Sequence, residues 1–411
     1  MDTLNFWDRY DFTLFDSKVI CRVTIENILC KRIVLMTEWI KCQIGDLCNT
    51  ISDTYKGKDY LVVIVNTSDV LEGKVLNHKT VFNENLKGQF KKTFKKNDIL
   101  YSEIRPANKR FAFIDFENTS NYIASTKLMV LRPNDKVLPR YLFALLKSNH
   151  LISELQHLAE TRSGTFPQIT FSSELSRIPV LLPNKETQKK VIDILSCIED
   201  KIDLNLAINN NLAQQAKTIY QAWFEKFILS NGSCPHTWKR GILADIANIT
   251  SGKRPPKKSD KKMKGFEIPL VGATSIVGFT NEANYTNKIL VIGRVGTHGV
   301  IQRINSPCWA SDNTLVITSK LYEYTFQVLQ KIDYHAMNRG STQPLITQAD
   351  MNKVDILIPD NQTLHEFELI VGQLMQKYET HLIENTKLAE LRDYLLPRLI
   401  SGELDTSKVN I

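Results

Sequence analysis

The sequence predicts an α+β fold in which two mixed α/β globules are separated by two long helices, which pair as an antiparallel coiled coil about a pseudo-twofold internal repeat. Three observations carry this expectation. The stretch over residues 187–227 returns in a second version over residues 363–396. The segments WIKCQIGDLCN from Trp39 and WKRGILADIAN from Trp238 share Trp, then Asp46 or Asp245, then Asn49 or Asn248. Ahead of each long helix lies a matching loop, RSGTFPQIT from Arg162 and RGSTQPLIT from Arg339.

Taken in order, residues 1–36 match nothing later in the chain. They carry Phe6, Trp7, Tyr10 and Phe15 among acids, and no function is assigned to them. Residues 37–183 form the first globule, with β-branched and aromatic runs YLVVIV, DILYSEI, RFAFIDF and KLMVLRP separated by turn residues. Residues 236–359 form the second, with IPLVGA, ILVIGRV, GVIQRI and NTLVIT. Each passes through one predicted helix (YLFALLKSNHLISELQHLAE; LYEYTFQVLQKIDYHAM) to its matching loop, and then to a last strand ending at Pro183 or Pro359.

The long helices are expected over residues 184–229 and 360–402, with a tail over 403–411. In the first, Val191, Leu195, Ile198, Ile202, Leu212, Ala216, Ile219 and Trp223 recur at alternating steps of four and three once Asn205 and Asn209 are admitted, the a/d seam of a coiled coil. A constant offset gives Phe367, Val371, Leu374, Tyr378, His381, Asn385, Leu388, Arg392 and Leu395. Both seams are apolar at the ends and polar in the middle. In an antiparallel pair the polar centres meet, and a slip of one heptad sets Asn against Leu, which fixes register. The alternative is that Asn205 and Asn209 lie on a solvated face and the helices pack separately. Pro397 is expected to end the second helix early.

The chain of 411 residues, 43% hydrophobic and 23% charged, has room for two or three domains with real cores. Seven cysteines without a C-x-x-C pair argue against a disulfide framework or a zinc site. No apolar run approaches membrane-spanning length. The N-terminus, with Asp2, Asp8, Arg9 and Asp11, lacks the order of a signal peptide, so a cytoplasmic protein is expected.

Motifs for chemistry are missing. There is no Asn/Asp-Pro-Pro-aromatic motif of amino-methylation, no G-x-x-x-x-G-K-[ST] loop, no H-E-x-x-H and no G-x-S-x-G. GRVGTHG, from Gly293, ends in a strand and reads as a turn. The pattern favours a binding protein over an enzyme, with no catalytic residues and no metal.

The net charge is +8, and the cations cluster. SGKRPPKKSDKKMKG carries Lys253, Arg254, Lys257, Lys258, Lys261, Lys262 and Lys264 against Asp260; the first globule carries Lys87, Lys91, Lys92, Lys95 and Lys96, then Arg105, Lys109 and Arg110. Lysines neutralise phosphates, while Arg, Asn, Gln, Ser and Thr read base edges. Arg162, Ser163, Thr165 and Gln168, their counterparts Arg339, Ser341, Thr342 and Gln343, and Arg294, Thr297 and His298 are therefore candidates for contacting DNA. For each of them a purely structural turn is the competing reading.

The organisation resembles the specificity subunit of a type I restriction-modification enzyme from Trp39 to Leu404. The resemblance is carried by NLAQQAKTIYQAWFEKF, NTKLAELRDYLLPRLISGEL and PNKETQ, which look like that family's conserved helical regions. It implies that the globules are target-recognition domains, each reading half of a split double-stranded DNA sequence, and that the helix pair holds them apart. A helix of about 40 residues is about 60 Å long, against about 34 Å between half-sites one turn apart. Two DNA-methyltransferase subunits and translocase/endonuclease subunits are the implied partners. S-adenosylmethionine, ATP and Mg are implied on those partners, and no cofactor on this chain. The second repeat departs from the first at Leu364, where the first has Gln188, and at Arg392, where the seam has Ala216. The rivals are a free-standing methyltransferase or nuclease, and a regulatory DNA-binding protein that self-associates through its coiled coil.

Overall fold

The structure, a computed structural model, describes residues 39–83, 88–162, 164–295, 299–337, 345–404 and 406. Residues 1–36, Ser163, Thr297, His298, Arg339, Ser341, Thr342 and Gln343 lie outside the described residues. The chain divides into two compact units, one holding the described residues up to Asp203 and from Asn385 onward, the other Leu204–Glu384. The boundary falls inside both long helices, so each unit holds one globule and half of each helix.

In the first unit the central sheet has the order Cys48–Ile51, Leu128–Pro133, Ile99–Ser102, Phe111–Phe113, all antiparallel. Its strands read as continuous apolar runs because both faces are covered. Ile99, Tyr101, Met129 and Leu131 enter one core with the helices Pro139–Leu146 and Asn149–Arg162. Leu100, Leu128 and Val130 enter a second core on the other face. The second unit repeats the order with Asn248–Ser251, Thr314–Thr318, Ile289–Gly293 and Ile301–Ile304. There Leu290, Ile292, Leu315 and Ile317 face one core, and Ile289, Val291 and Val316 the other.

A smaller sheet accompanies each. Leu61–Val65 pairs parallel with Tyr122–Ser125, as Ile268–Val271 does with Trp309–Ala310. Thr80–Phe82 and Ile276–Thr280 add antiparallel edges. Phe90–Lys92 has no described counterpart in the second sheet.

The shared Trp…Asp…Asn starts have a physical cause. Each globule is closed by its last strand pairing antiparallel with its first: Pro179–Leu182 with Ile40–Gln43, and Asp355–Ile358 with Lys239–Ile242. Asp46 and Asp245 each accept a backbone N–H, of Gln43 and Ile242, at 2.8 Å. Immediately after the closing strand, Asn184 and Asp360 accept the N–H of Thr187 and Thr363, each at 2.9 Å, and so cap the long helices. Asp360 also accepts from the Trp238 indole at 2.9 Å. The Thr363 N–H leads the interactions that hold its carboxyl below the usual range.

The long helices span Lys185–Tyr220, continued by a π-helical turn Gln221–Glu225, and Asn361–Ile400. In the first unit Val191 and Leu195 share a core with Leu396 and Leu399. In the second, Ala216 and Tyr220 share one with Phe367, Val371 and Met375. Within the first unit Ile202 meets Asn385 while Leu195 shares its core with Leu396, and within the second Asn209 meets Tyr378 and His381 while Tyr220 shares its core with Phe367, so the halves within each unit run antiparallel. Asn205 and Asn209 are 0% and 3% exposed, which rules out the solvated-face alternative. The Asn205 amide donates to Glu384 at 2.8 Å; the Asn209 amide donates to the Tyr378 carbonyl at 3.1 Å, and its oxygen lies 2.9 Å from His381 Nδ1. In the other unit the Asn385 amide reaches the Ile202 carbonyl at 3.5 Å. Ile202 is partly buried, and Ile198, Leu195 and Leu212 are buried.

Several expectations need correction. Pro397 does not end the second helix, which continues to Ile400. A proline in the last turn removes a single N–H donor, and the stop comes instead at Gly402, whose φ of +75° is left-handed. A β-carbon there would lie 3.0 Å from Trp39 Cε2, so the Trp39 ring also selects glycine. The helix predicted after the first sheet is two helices, broken at Lys147–Ser148, and its counterpart in the second globule is only Tyr322–Leu329. Along the second long helix Phe367, Val371 and Leu388 are buried as expected, and Leu374, Tyr378, His381, Asn385, Arg392 and Leu395 are, like Ile202, partly buried. Met375, Leu396 and Leu399, next to or beyond those positions, are buried more deeply, the drift of a 3.6-residue helix against a strict 3.5-residue seam. At the departure from the repeat, Gln188 is buried by bonding the Leu138 N–H and the Pro183 carbonyl, while Leu364 sits in an apolar core.

Candidate nucleic-acid interface

Two loops that are distant in sequence meet in the first globule. The turn between strands Ile99–Ser102 and Phe111–Phe113 lies against the RSGTFPQIT loop: Ile104 bridges Gln168, the Arg105 N–H donates to the Pro167 carbonyl at 3.0 Å, and the Ile169 N–H donates to the Glu103 carbonyl at 2.8 Å. The second globule repeats this. Val295 bridges Leu345, and the Ile346 N–H donates to the Arg294 carbonyl at 3.0 Å. The structure thus brings the turn that carries Arg105, Lys109 and Arg110 against Gln168 in the first unit, with Thr165 three residues ahead of it in the same loop. In the second, Arg294 stands where the corresponding loop leaves the described residues.

Within the first site the side chains divide into fixed and free. Arg110 donates to the carbonyls of Ser68 and Val70 at 3.1 and 3.3 Å and so ties the turn to a neighbouring segment. Arg162 pairs with Glu174 at 3.2 Å, Lys109 with Glu72 at 3.3 Å, and the Gln168 amide donates to Glu103 at 3.0 Å. Thr165 is exposed. Arg105 is exposed, and among the described residues its side chain has no hydrogen bond or ion pair. Its φ of +45° is left-handed, as is that of Lys109 at +52°. The tight turn Pro106–Asn108 between them is pinned by the buried ring of Pro106 and by the Ala107 N–H donating to Gln156 at 3.0 Å. Asn108, at the tip of the turn, is exposed. Of the upstream lysines, Lys92 is structural, donating to the Thr126 and Leu128 carbonyls at 3.0 and 2.8 Å, and burial lowers its pKa. Lys96 faces Glu117, and Lys87 lies outside the described residues.

The basic loop of the second globule is held by its backbone. Gly252 approaches so closely that a β-carbon would meet the Ser311 carbonyl oxygen at 2.0 Å. The Lys253 N–H donates to Ala310 at 3.0 Å, and the Lys253 carbonyl accepts from the Trp309 indole at 2.7 Å. Ser259 bridges Phe279, and the Lys257 carbonyl accepts from Thr280 at 2.7 Å. Every main-chain anchor faces inward while the side chains of Lys253, Arg254, Lys257, Lys258, Lys261, Lys262 and Lys264 remain exposed. Arg294 behaves differently: its Nε is buried and has no hydrogen-bond partner among the described residues. Among those residues no cluster of His, Cys, Asp and Glu has the arrangement of a metal site, and no helix is long and apolar enough to cross a membrane.

The type I restriction modification DNA specificity domain matches this chain twice, over residues 36–214 and 235–392. The chain belongs to the type I restriction-modification specificity subunits. The HindI specificity subunit of Haemophilus influenzae is 30% identical, over 90% of this chain and all of the relative. The MjaIX specificity subunit of Methanocaldococcus jannaschii is 25% identical, over 66% of this chain and 70% of its own length. The crystal structure of the type I restriction-modification system S subunit from M. genitalium shares the fold, with a TM-score of 0.55 at 19% identity, covering 90% of this chain and 98% of that one. A specificity subunit recognises DNA by sequence for its restriction-modification complex and is not itself catalytic. The double match also explains the repeated sheets: the specificity subunit carries the same domain twice.

Proposed function

We propose that each globule reads one half of a bipartite double-stranded DNA target, and that the chain thereby directs where partner subunits methylate and cut. The observation that carries this is the recurrence, in both globules, of one hairpin turn joined to one matching loop, with cations at the joint. Arg105 and Arg294, with Thr165, Thr297, His298, Arg339, Ser341, Thr342 and Gln343, would face bases. The lysines of the 253–264 loop would neutralise phosphates without sequence preference.

On this reading the long helices form an antiparallel coiled coil and the repeats are related by a pseudo-twofold axis, supported by the antiparallel packing in each unit and the buried Asn205 and Asn209. The functional parts are the target-recognition domains at 37–183 and 236–359 and the helices at 184–229 and 360–402. Two DNA-methyltransferase subunits and translocase/endonuclease subunits would complete the complex in the cytoplasm. They would hold S-adenosylmethionine, ATP and Mg, and this chain would hold none.

The test is a genome-wide map of adenine methylation in cells with and without this gene. Deletion is expected to erase a single split motif, whose two halves are then read directly. An unchanged map in cells that express the methylating partner would overturn the proposal.

A further inference from the structure

The hairpin Ile289–Ile304 of the second globule is fastened to the second long helix by buried charge. Arg303, on its descending strand, donates to both oxygens of Glu323 at 2.6 and 2.7 Å and to Glu379 of the long helix at 2.7 Å. The three side chains are 8%, 6% and 15% exposed. The guanidinium also lies 4.8 Å from the ring centres of Tyr322 and Phe326, and Lys288 reaches Glu379 at 3.5 Å. Farther along the same helix, Glu368 accepts the N–H groups of Tyr324 and Glu323 at 2.8 and 3.1 Å, capping the short helix Tyr322–Leu329 from outside. The globule is thus held at two points, Glu368 and Glu379, three turns apart on one helix.

Apolar packing alone would attach the globule, since Phe367, Val371 and Met375 already share its core. Burying an ion pair is no cheaper than burying apolar groups of the same size; its distinctive contribution is geometry, because a guanidinium fork accepts carboxylates only in fixed directions. Two points of attachment also remove rotation about a single contact.

We infer that Arg303, Glu379 and Glu368 are positioning residues that set the angle at which the second reading hairpin stands on its helix, and hence the length of spacer the subunit accepts between half-sites. This rests on the bipartite reading above. The first globule is attached to the first long helix differently, by Lys147 to Glu199, Lys74 to Asp203 and the Leu138 N–H to Gln188, none of them a guanidinium fork, so the arginine clamp belongs to the second half-site.

The experiment maps methylation in cells carrying the whole system, scoring every occurrence of the two half-sites at each spacer length. Wild type is expected to modify one length. Glu368→Gln with Glu379→Gln is expected to leave both half-site sequences unchanged while raising methylation at spacers one base pair longer or shorter by 10-fold or more. Arg303→Lys, which keeps the charge but not the fork, should give a smaller rise, and it carries the same test should the double variant not accumulate. Variants that lose methylation evenly and keep the wild-type spacer would overturn the clamp and leave the group a fold-stabilising contact. A wild type with no split motif would overturn the bipartite reading, and the clamp with it.

Discussion

Arg105 holds a left-handed backbone that costs a residue with a β-carbon about 1–2 kcal/mol, and among the described residues its side chain makes no hydrogen bond or ion pair that offsets the cost. Strain of this kind persists where the surroundings impose it, and it clusters where a ligand is met. Arg105→Gly should therefore raise thermal stability, by about 0.5–1 kcal/mol after allowing for the greater freedom of glycine in the unfolded chain. It should also lower the preference for cognate over random duplex at least 10-fold. Thermal unfolding and competition binding check both signs, and a less stable variant would remove strain from the account. Arg110→Ala should do the reverse, losing stability through the Ser68 and Val70 carbonyls with little change in preference. The sequence offered Arg105, Arg110, Arg162 and Gln168 as equals. Only the folded chain separates them, because Glu174 and Glu103 come to Arg162 and Gln168 through tertiary contacts that no local pattern announces.

At the scale of elements, strands and long helices were legible because their signals are local: apolar runs for the doubly covered sheets, and steps of three and four for the helices. The short pairing strands Ile40–Gln43 and Lys239–Ile242 were not, since their partners lie at the far end of each globule and their exposed side chains carry no pattern. The polar centre was legible in position but not in partner. The seam pattern expects polar centre to meet polar centre without naming pairs, and Asn209 bonds Tyr378 and His381. Asn209→Leu alone is thus expected to destabilise by about 1–3 kcal/mol, the cost of leaving buried polar groups short of a bond. Asn209→Leu with His381→Leu should recover at least half of that loss. A double-mutant cycle by denaturant unfolding measures the coupling, and purely additive effects would refute the pairing.

For the whole molecule, the consequence of a duplicated domain is that one half should be exchangeable. The second globule enters through Lys239–Ile242 and leaves through Asp355–Ile358, and because these strands are hydrogen-bonded to each other, residues 236–359 can be cut out at one closed neck. The neck is not the whole attachment, however. A graft that places no cation opposite Glu379 and no helix N-terminus opposite Glu368 leaves two carboxylates buried without partners. Breaking a buried pair in this way costs roughly 3–5 kcal/mol, comparable to the whole stability of a small domain. Replacing residues 236–359 by the corresponding globule of another specificity subunit is expected to change one half of the methylated sequence and leave the other intact, provided the graft keeps an arginine at the place of Arg303. The same graft with that arginine changed to Met should accumulate poorly unless Glu379→Leu is introduced together with an apolar residue at the place of Glu323, since the arginine holds both carboxylates. Methylation maps and soluble yield distinguish these cases: a graft that alters both halves would refute independent reading, and one indifferent to the arginine would show that the neck alone carries the globule.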